Sequence, residues 1–253
     1  MPYNYGGFRG GYSSVSAADP NADLKALVDV YWKYDEFSDG SAPVTRLDSG
    51  PNGIHLTDNN TTPSGTGHVY SNAASFVGAN QEFFSHANHS VLDKGDEDFT
   101  WVFWINFANL TGTQFCVAKD VTASGFSGDY SIWLDNVTDR MVVGYSTGPA
   151  AEKFAVDANF GPLTASTWYM VSGGYDSVRQ RGFVRVNTSI ITETTVGIHT
   201  TANTDPFKYG RRNFAGAPSF VTASSGPVAL YHAVLSDSQN TRLWNGGAGL
   251  ALY

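Results

Sequence analysis

The chain has 253 residues, 42 % hydrophobic and 14 % aromatic, with only 15 % charged and a formal net charge of −8. That length and apolar content fit one large globular domain and exclude a disordered chain. The acidic balance without a basic stripe argues against nucleic acid as a partner, and no apolar run reaches the roughly 20 residues of a spanning helix, so no membrane insertion is expected.

Residues 1–23 are rich in Gly, Tyr and Ser and lack apolar periodicity, which predicts an arm with no core of its own, followed by a single domain over 24–253. Tyr3, Tyr5, Phe8, Arg9 and Tyr12 are interleaved with glycines and serines. Aromatic rings bury large area at low rotamer cost, so this pattern is expected to dock on a partner. The segment carries no apolar central region of a secretory leader. Next, "NADLKALVD" (Asn21–Asp29) predicts a short helical turn capped by Asn21 or Asp23.

Strand signals then dominate. "VDVYWKY", "AASFVG" and "QEFFSH" are short and aromatic-rich. "DFTWVFWINF" (Asp98–Phe107) is the longest, with Phe99, Trp101, Phe103, Ile105 and Phe107 on one face and Thr100, Val102, Trp104 and Asn106 on the other. "QFCVAK" holds the single Cys116, read as core packing. "YSIWLD" and "RMVVGY" flank "DNVTD" as a hairpin, and "TWYMVSGGYD", "RGFVRVNTS", "PFKYG" and "GPVALYHAVL" complete the series. The one convincing helix is Ser236–Gly247, capped by Ser236, ended by Gly246-Gly247, and expected to turn Leu243 and Trp244 to the core. Many short strands with one terminal helix predict an all-β sandwich.

The order of these motifs resembles the laminin-G-like modules of the concanavalin A-like lectin/glucanase superfamily. "VYWKYDE", "LDSGPNGIHLT", "NAASFVGANQEFFS", "DFTWVFWINF", "TWYMV", "RVN", "PFKYG" and "LSDSQNTRLWNGGAGL" are similar to its successive elements over about residues 28–250. The resemblance implies an antiparallel jelly-roll sandwich. Many members hold a structural calcium with the first loop and an acidic pair in the last strand. Here that pair falls on Gly226 and Pro227, which leaves Asp35, Asp48 and loop carbonyls as the remaining donors. The first loop also fails the EF-hand pattern, so no cofactor is expected. Gly50, Asn52 and Gly53 are expected to supply its positive-φ positions.

The glucanase branch uses alternating carboxylates on one strand. The densest acid run here, Asp96, Glu97 and Asp98, is consecutive and reads as a turn, so no catalytic residue is assigned and no enzyme is expected. His86 and His89 lack further metal ligands nearby in sequence. Candidate ligand contacts are the aromatics near predicted loops and strand ends, Phe126, Trp133, Tyr145, Tyr209 and Phe214, and the paired Arg211 and Arg212, which suit a carboxylate. Two functions follow as expectations. One is a structural or adhesion protein of a virus particle, of the kind the resemblance places on phage virions: a head decoration, fibre or tail-surface protein at the virion surface. Its arm would join it to a capsid or fibre subunit or to further copies, as a homo-oligomer, and its domain would touch surface glycans. The other is a free carbohydrate-binding lectin.

Overall fold

The structure is a computed structural model that describes residues 19–36, 44–119, 129–148, 151–198, 204–214 and 217–253. Tyr3, Tyr5, Phe8, Arg9, Tyr12 and Phe126 lie outside the described residues. Two antiparallel sheets face each other. The first runs β14 (Thr192–Thr195), β13 (Arg181–Val186), β12 (Trp168–Asp176), β7 (Phe99–Phe107), β18 (Ala223–Tyr231), β5 (Asn72–Phe76) and β4 (Ser64–Thr66). In it, β1 (Val28–Trp32) shares one edge of β18 end to end with β5. The second runs β11 (Ala151–Val156), β10 (Arg140–Gly148), β9 (Tyr130–Asp135), β8 (Gln114–Lys119), β15 (Phe207–Tyr209), β6 (Phe83–His86), β3 (Leu56–Asn59) and β2 (Thr45–Arg46). A separate hairpin joins β16 (Arg211–Phe214) to β17 (Ala217–Phe220).

The alternation of β7 puts Phe99, Trp101, Phe103, Ile105 and Phe107 into the core between the sheets. Trp32, Trp101 and Phe207 stack there, with centroids 5.1–6.0 Å apart. Its other face is buried too. Val102 and Trp104 pack with Leu24 of α1 (Ala22–Leu27) and Leu243 of α2 (Asp237–Trp244) in a second apolar cluster outside the first sheet. The expected cap on α1 takes a different form. Asn21 stands at the N-cap without a side-chain bond, and its own N–H donates to Asp19 Oδ1 at 2.9 Å. By contrast α2 carries a full capping box, Ser236 with Gln239, and ends on left-handed Asn245 and Gly246.

Leu243 is buried as expected, and Trp244 packs against the same apolar cluster while staying partly exposed. Its indole lies flat on Trp104, 5.2 Å away at 8°. Leu243→Ala is therefore expected to cost about 2–4 kcal/mol and Trp244→Ala only about 1–2 kcal/mol. Denaturant melts of the two variants would contradict this packing if Trp244→Ala proved the more damaging.

The acidic pair that the resemblance implies is replaced by a bulge. The β18 register shifts between Ser225 and Val228, at Gly226-Pro227. Pro227 has no N–H to give a ladder, so a bulge is where a central strand tolerates it.

Candidate functional site

The first loop is a structural clamp. Asp48 Oδ1 accepts from the backbone N–H of Tyr31 (2.8 Å) and Gly50 (2.7 Å), and Oδ2 accepts from Ile54 (2.9 Å). Around it, the Trp32 indole donates to the Ile54 carbonyl and Asn52 Nδ2 to the Asp29 carbonyl, so the loop is laced to β1. Only Gly53 has the expected positive φ (64°). Gly50 is there for space: a Cβ would stand 2.9 Å from Asp48 Oδ1 and 3.1 Å from the Tyr31 nitrogen. Asp35 lies 4.0 Å from the Lys33 ammonium. His86 and His89 have ring centroids 5.8 Å apart, and among the described residues no group of three His, Cys, Asp or Glu could hold a metal ion. Asp96 accepts from the Tyr175 hydroxyl and Asp98 from Ser177 N–H and hydroxyl, which fixes the start of the β12–β13 turn.

The sequence-predicted ligand contacts divide by side of the sheet. Tyr145 and Tyr209 are corrected to core residues, both fully buried. The Tyr145 hydroxyl donates to the Gly174 carbonyl, and the Tyr209 hydroxyl is 2.6 Å from Ser225 Oγ across the sandwich. Burial drives both phenols well above their usual pKa. Neither can face a ligand, because strand alternation gives each the parity of Ile132 and Val117 in the core. Trp133 has the opposite parity. With Phe115 and Val142 it forms an apolar cluster on the outer face of the second sheet.

That face is an aromatic strip. Phe115 and Trp133 are cross-strand partners with centroids 5.3 Å apart, and Phe154 meets Trp133 edge-on at 5.5 Å and 88°. Trp133 is only 9 % exposed, whereas Phe154 and Val156 on the edge strand are each 41 % exposed. The hairpin β16–β17 borders the strip. Gly210, at φ 89°, swings the chain out of β15, and a Cβ there would press on Phe76 at 3.1 Å. The two arginines then splay apart. The Arg211 guanidinium lies 4.7 Å from the Phe83 ring and 5.2 Å from that of Phe220, and Arg212 lies 4.9 Å from Phe115. Arg212 is buried and Arg211 half-buried. Each is thus a cation laid on a ring. The Phe214 side chain is outside the described part of the structure. Phe115 and Phe154 escape the sequence reading. The available signal was the alternation in "EKFAV", which sets Phe154 opposite Ala155.

A charged cluster closes one end of the sandwich. Buried Lys119 pairs with Asp93 (2.6 Å) and Lys94 with Asp29 (2.7 Å). Asp129 accepts from Lys94 N–H at 3.2 Å, and burial pushes its carboxyl up to about 8, against the pull of that N–H and of Lys119. Cys116 is buried in the core, where desolvation raises its thiol well above the ordinary range.

The geometry has solved counterparts. The binding domain of Paraclostridial Mosquitocidal Protein 1 superposes with a TM-score of 0.66 at 14 % identity, over 88 % of this chain and 53 % of that one. Botulinum neurotoxin type C, which depends on interaction with two ganglioside molecules to enter cells, gives 0.67 at 11 % identity, over 89 % and 52 %. Domain 4 of the extracellular arabinanase AbnA from Geobacillus stearothermophilus, solved with arabinotriose, gives 0.61 at 16 % identity, over 85 % and 97 %. The fold is a lectin-like β-sandwich. At these identities the likeness concerns the fold alone, and the chain spans about half the length of the toxin chains it matches. No protein-family model and no curated sequence matches the chain. Among the described residues no helix is long and apolar enough to cross a membrane.

Proposed function

We propose that this chain is a non-enzymatic glycan-binding module that uses the outer face of its second sheet. The observation that carries this reading is the Phe115–Trp133–Phe154 strip, whose outermost ring stands half in solvent at the sheet edge. Apolar ring faces suit the C–H faces of sugars, and Trp133 holds Phe154 edge-on from behind. The arabinotriose complex of AbnA domain 4 supports the same use of a fold of this kind. Titration against a panel of neutral and acidic oligosaccharides should give saturable binding that Phe154→Ala weakens about tenfold, or ~1.4 kcal/mol. The panel should show no release of reducing ends. Binding indifferent to Phe154→Ala would move the site elsewhere, and carboxylate-dependent hydrolysis would overturn the non-enzymatic reading.

The setting we infer is the surface of a bacteriophage particle. Its support is the sequence of the arm, where Tyr3, Tyr5, Phe8, Arg9 and Tyr12 are interleaved with glycines and serines as in a docking segment. The docking partner would be a capsid or fibre subunit or a second copy of the chain. Deleting residues 1–20 should leave the melting temperature nearly unchanged and abolish incorporation into particles. Full incorporation of the truncated chain would leave a free lectin as the better reading.

A further inference from the structure

A cleft of about 220 Å³ opens on the opposite side of the molecule, between the loop after β13 and the first turn of α2. Arg185 lines it and is 94 % buried, at 6 % relative exposure. Its Nη2 pairs with Asp237 Oδ1, a carboxylate whose side chain is 89 % exposed, and its Nε has no hydrogen-bond partner. Thr188, Ser189 and Thr241 contribute hydroxyls to the lining, and Ile190, 76 % exposed, forms an apolar rim.

This arrangement is poor as a structural ion pair. A solvated carboxylate returns little to an arginine that has been taken out of water, and a buried donor left unmade is costly. Holding α2 to the sheet does not require it, because Ser172 Oγ donates to Asn240 Oδ1 (2.6 Å) and Asn240 Nδ2 donates to the Asn187 carbonyl (2.9 Å). The guanidinium edge that carries Nε and Nη2 fits a planar carboxylate through two parallel bonds. Asp237 uses only one of them.

We propose that Arg185 anchors a second binding site, for a carboxylate-bearing sugar of the uronic or sialic type, and that Asp237 is a built-in occupant which the ligand displaces. The carboxylate follows from Arg185. That its carrier is a sugar rests on the glycan-binding reading above, together with the hydroxyl-bearing lining residues and the apolar rim. The volume lies below the roughly 300–1,000 Å³ of drug-sized pockets, so the site takes one residue of a chain rather than a long segment. The N-terminus of the eight-residue α2 adjoins the cleft and adds favourable potential for an anion.

The test is calorimetric titration of the whole chain with a uronic-acid oligosaccharide, a sialylated one, and the carboxyl-reduced form of the first. Acidic ligands should bind, and carboxyl reduction should remove binding. Arg185→Lys, which keeps the charge and loses the fork, should weaken binding at least tenfold. Asp237→Ala should strengthen it severalfold by removing the competing carboxylate. Ile190→Glu, at an exposed position that leaves folding untouched, should abolish it. Acidic ligands that bind no better than the reduced form, or an Asp237→Ala variant that binds no more tightly, would reduce Arg185 to a structural residue. That failure is distinct from failure of the aromatic strip, because neutral glycans lost on Phe154→Ala and indifferent to Arg185→Lys would keep the first site and discard the second.

Discussion

Replacing Asp48 with alanine is expected to destabilise the protein by about 3–5 kcal/mol, since it strands three backbone N–H groups at about 1–3 kcal/mol for each one left buried and unpaired. Two of these bonds, from Tyr31 and Ile54, are buried, and the third, from Gly50, is partly so. The damage should spread beyond the loop, because the Trp32 indole donates its only described bond to the Ile54 carbonyl that Asp48 helps to place. Asp48→Asn should fall between wild type and alanine. Its one remaining oxygen can serve Tyr31 and Gly50, while its NH₂ group would face the Ile54 N–H donor. If Asp48 instead worked mainly as an ion ligand, chelation would mimic the mutation through the lost binding term. The geometry leads to the opposite expectation: EDTA should leave the melting temperature unchanged while Asp48→Ala lowers it by many degrees. Equal effects of the two treatments would return the loop to a metal role. A loss below about 1 kcal/mol would mean that water replaces the carboxylate, at the value of an ordinary exposed bond.

The parts of the fold legible in the sequence were those where one local rule acts alone. The alternation of Phe99–Phe107 divided its residues correctly between two faces, and the Ser236–Gln239 pair marked the helix start. Short strands such as "SGT" (Ser64–Thr66) and "TETT" (Thr192–Thr195) carry no periodicity to read and exist because a neighbouring strand offers an edge. The site was half legible for a related reason. Period two shows that Trp133 and Tyr145 lie on opposite faces once β9 and β10 are paired, but not which face the other sheet covers. Local alternation therefore does not separate Tyr145 and Tyr209, which sit in the core, from ligand-facing residues, and it does not mark Phe115 and Phe154 beside Trp133. Arg211 and Arg212 were marked by their adjacency, yet their stacking on Phe83, Phe220 and Phe115 is set by contacts across the sheet. No local rule marks Arg185 as a site, since its partner Asp237 lies 52 residues later in the chain.

Stability is expected to fall as pH rises from about 4 to about 8, with Asp129 as the main cause. Its carboxyl titrates near 8 in the folded chain, raised first by burial, against about 3.9 in an unfolded one. Between those values the folded state holds a proton that the unfolded state has released. The stabilisation is complete below the unfolded value and is lost as pH climbs through the folded one, with a slope of at most ~1.4 kcal/mol per pH unit. Burial raises Asp58 and Asp157 in the same direction, so they steepen the trend. Ionised Asp129 would regain part of this from Lys119 and Lys94, which already pair with Asp93 and Asp29. A net loss of about 2–4 kcal/mol across the window is the reasonable scale. Asp129→Asn supplies the decisive comparison, because the amide copies the neutral carboxyl in size and keeps an oxygen for the Lys94 N–H. At pH 4 the variant should match wild type closely. At pH 8 it should be the more stable of the two, and its curve of unfolding free energy against pH should be flatter throughout. Parallel curves for the two proteins would mean that Asp129 is already ionised at neutral pH, held by the two lysines as a buried ion network rather than as a neutral acid.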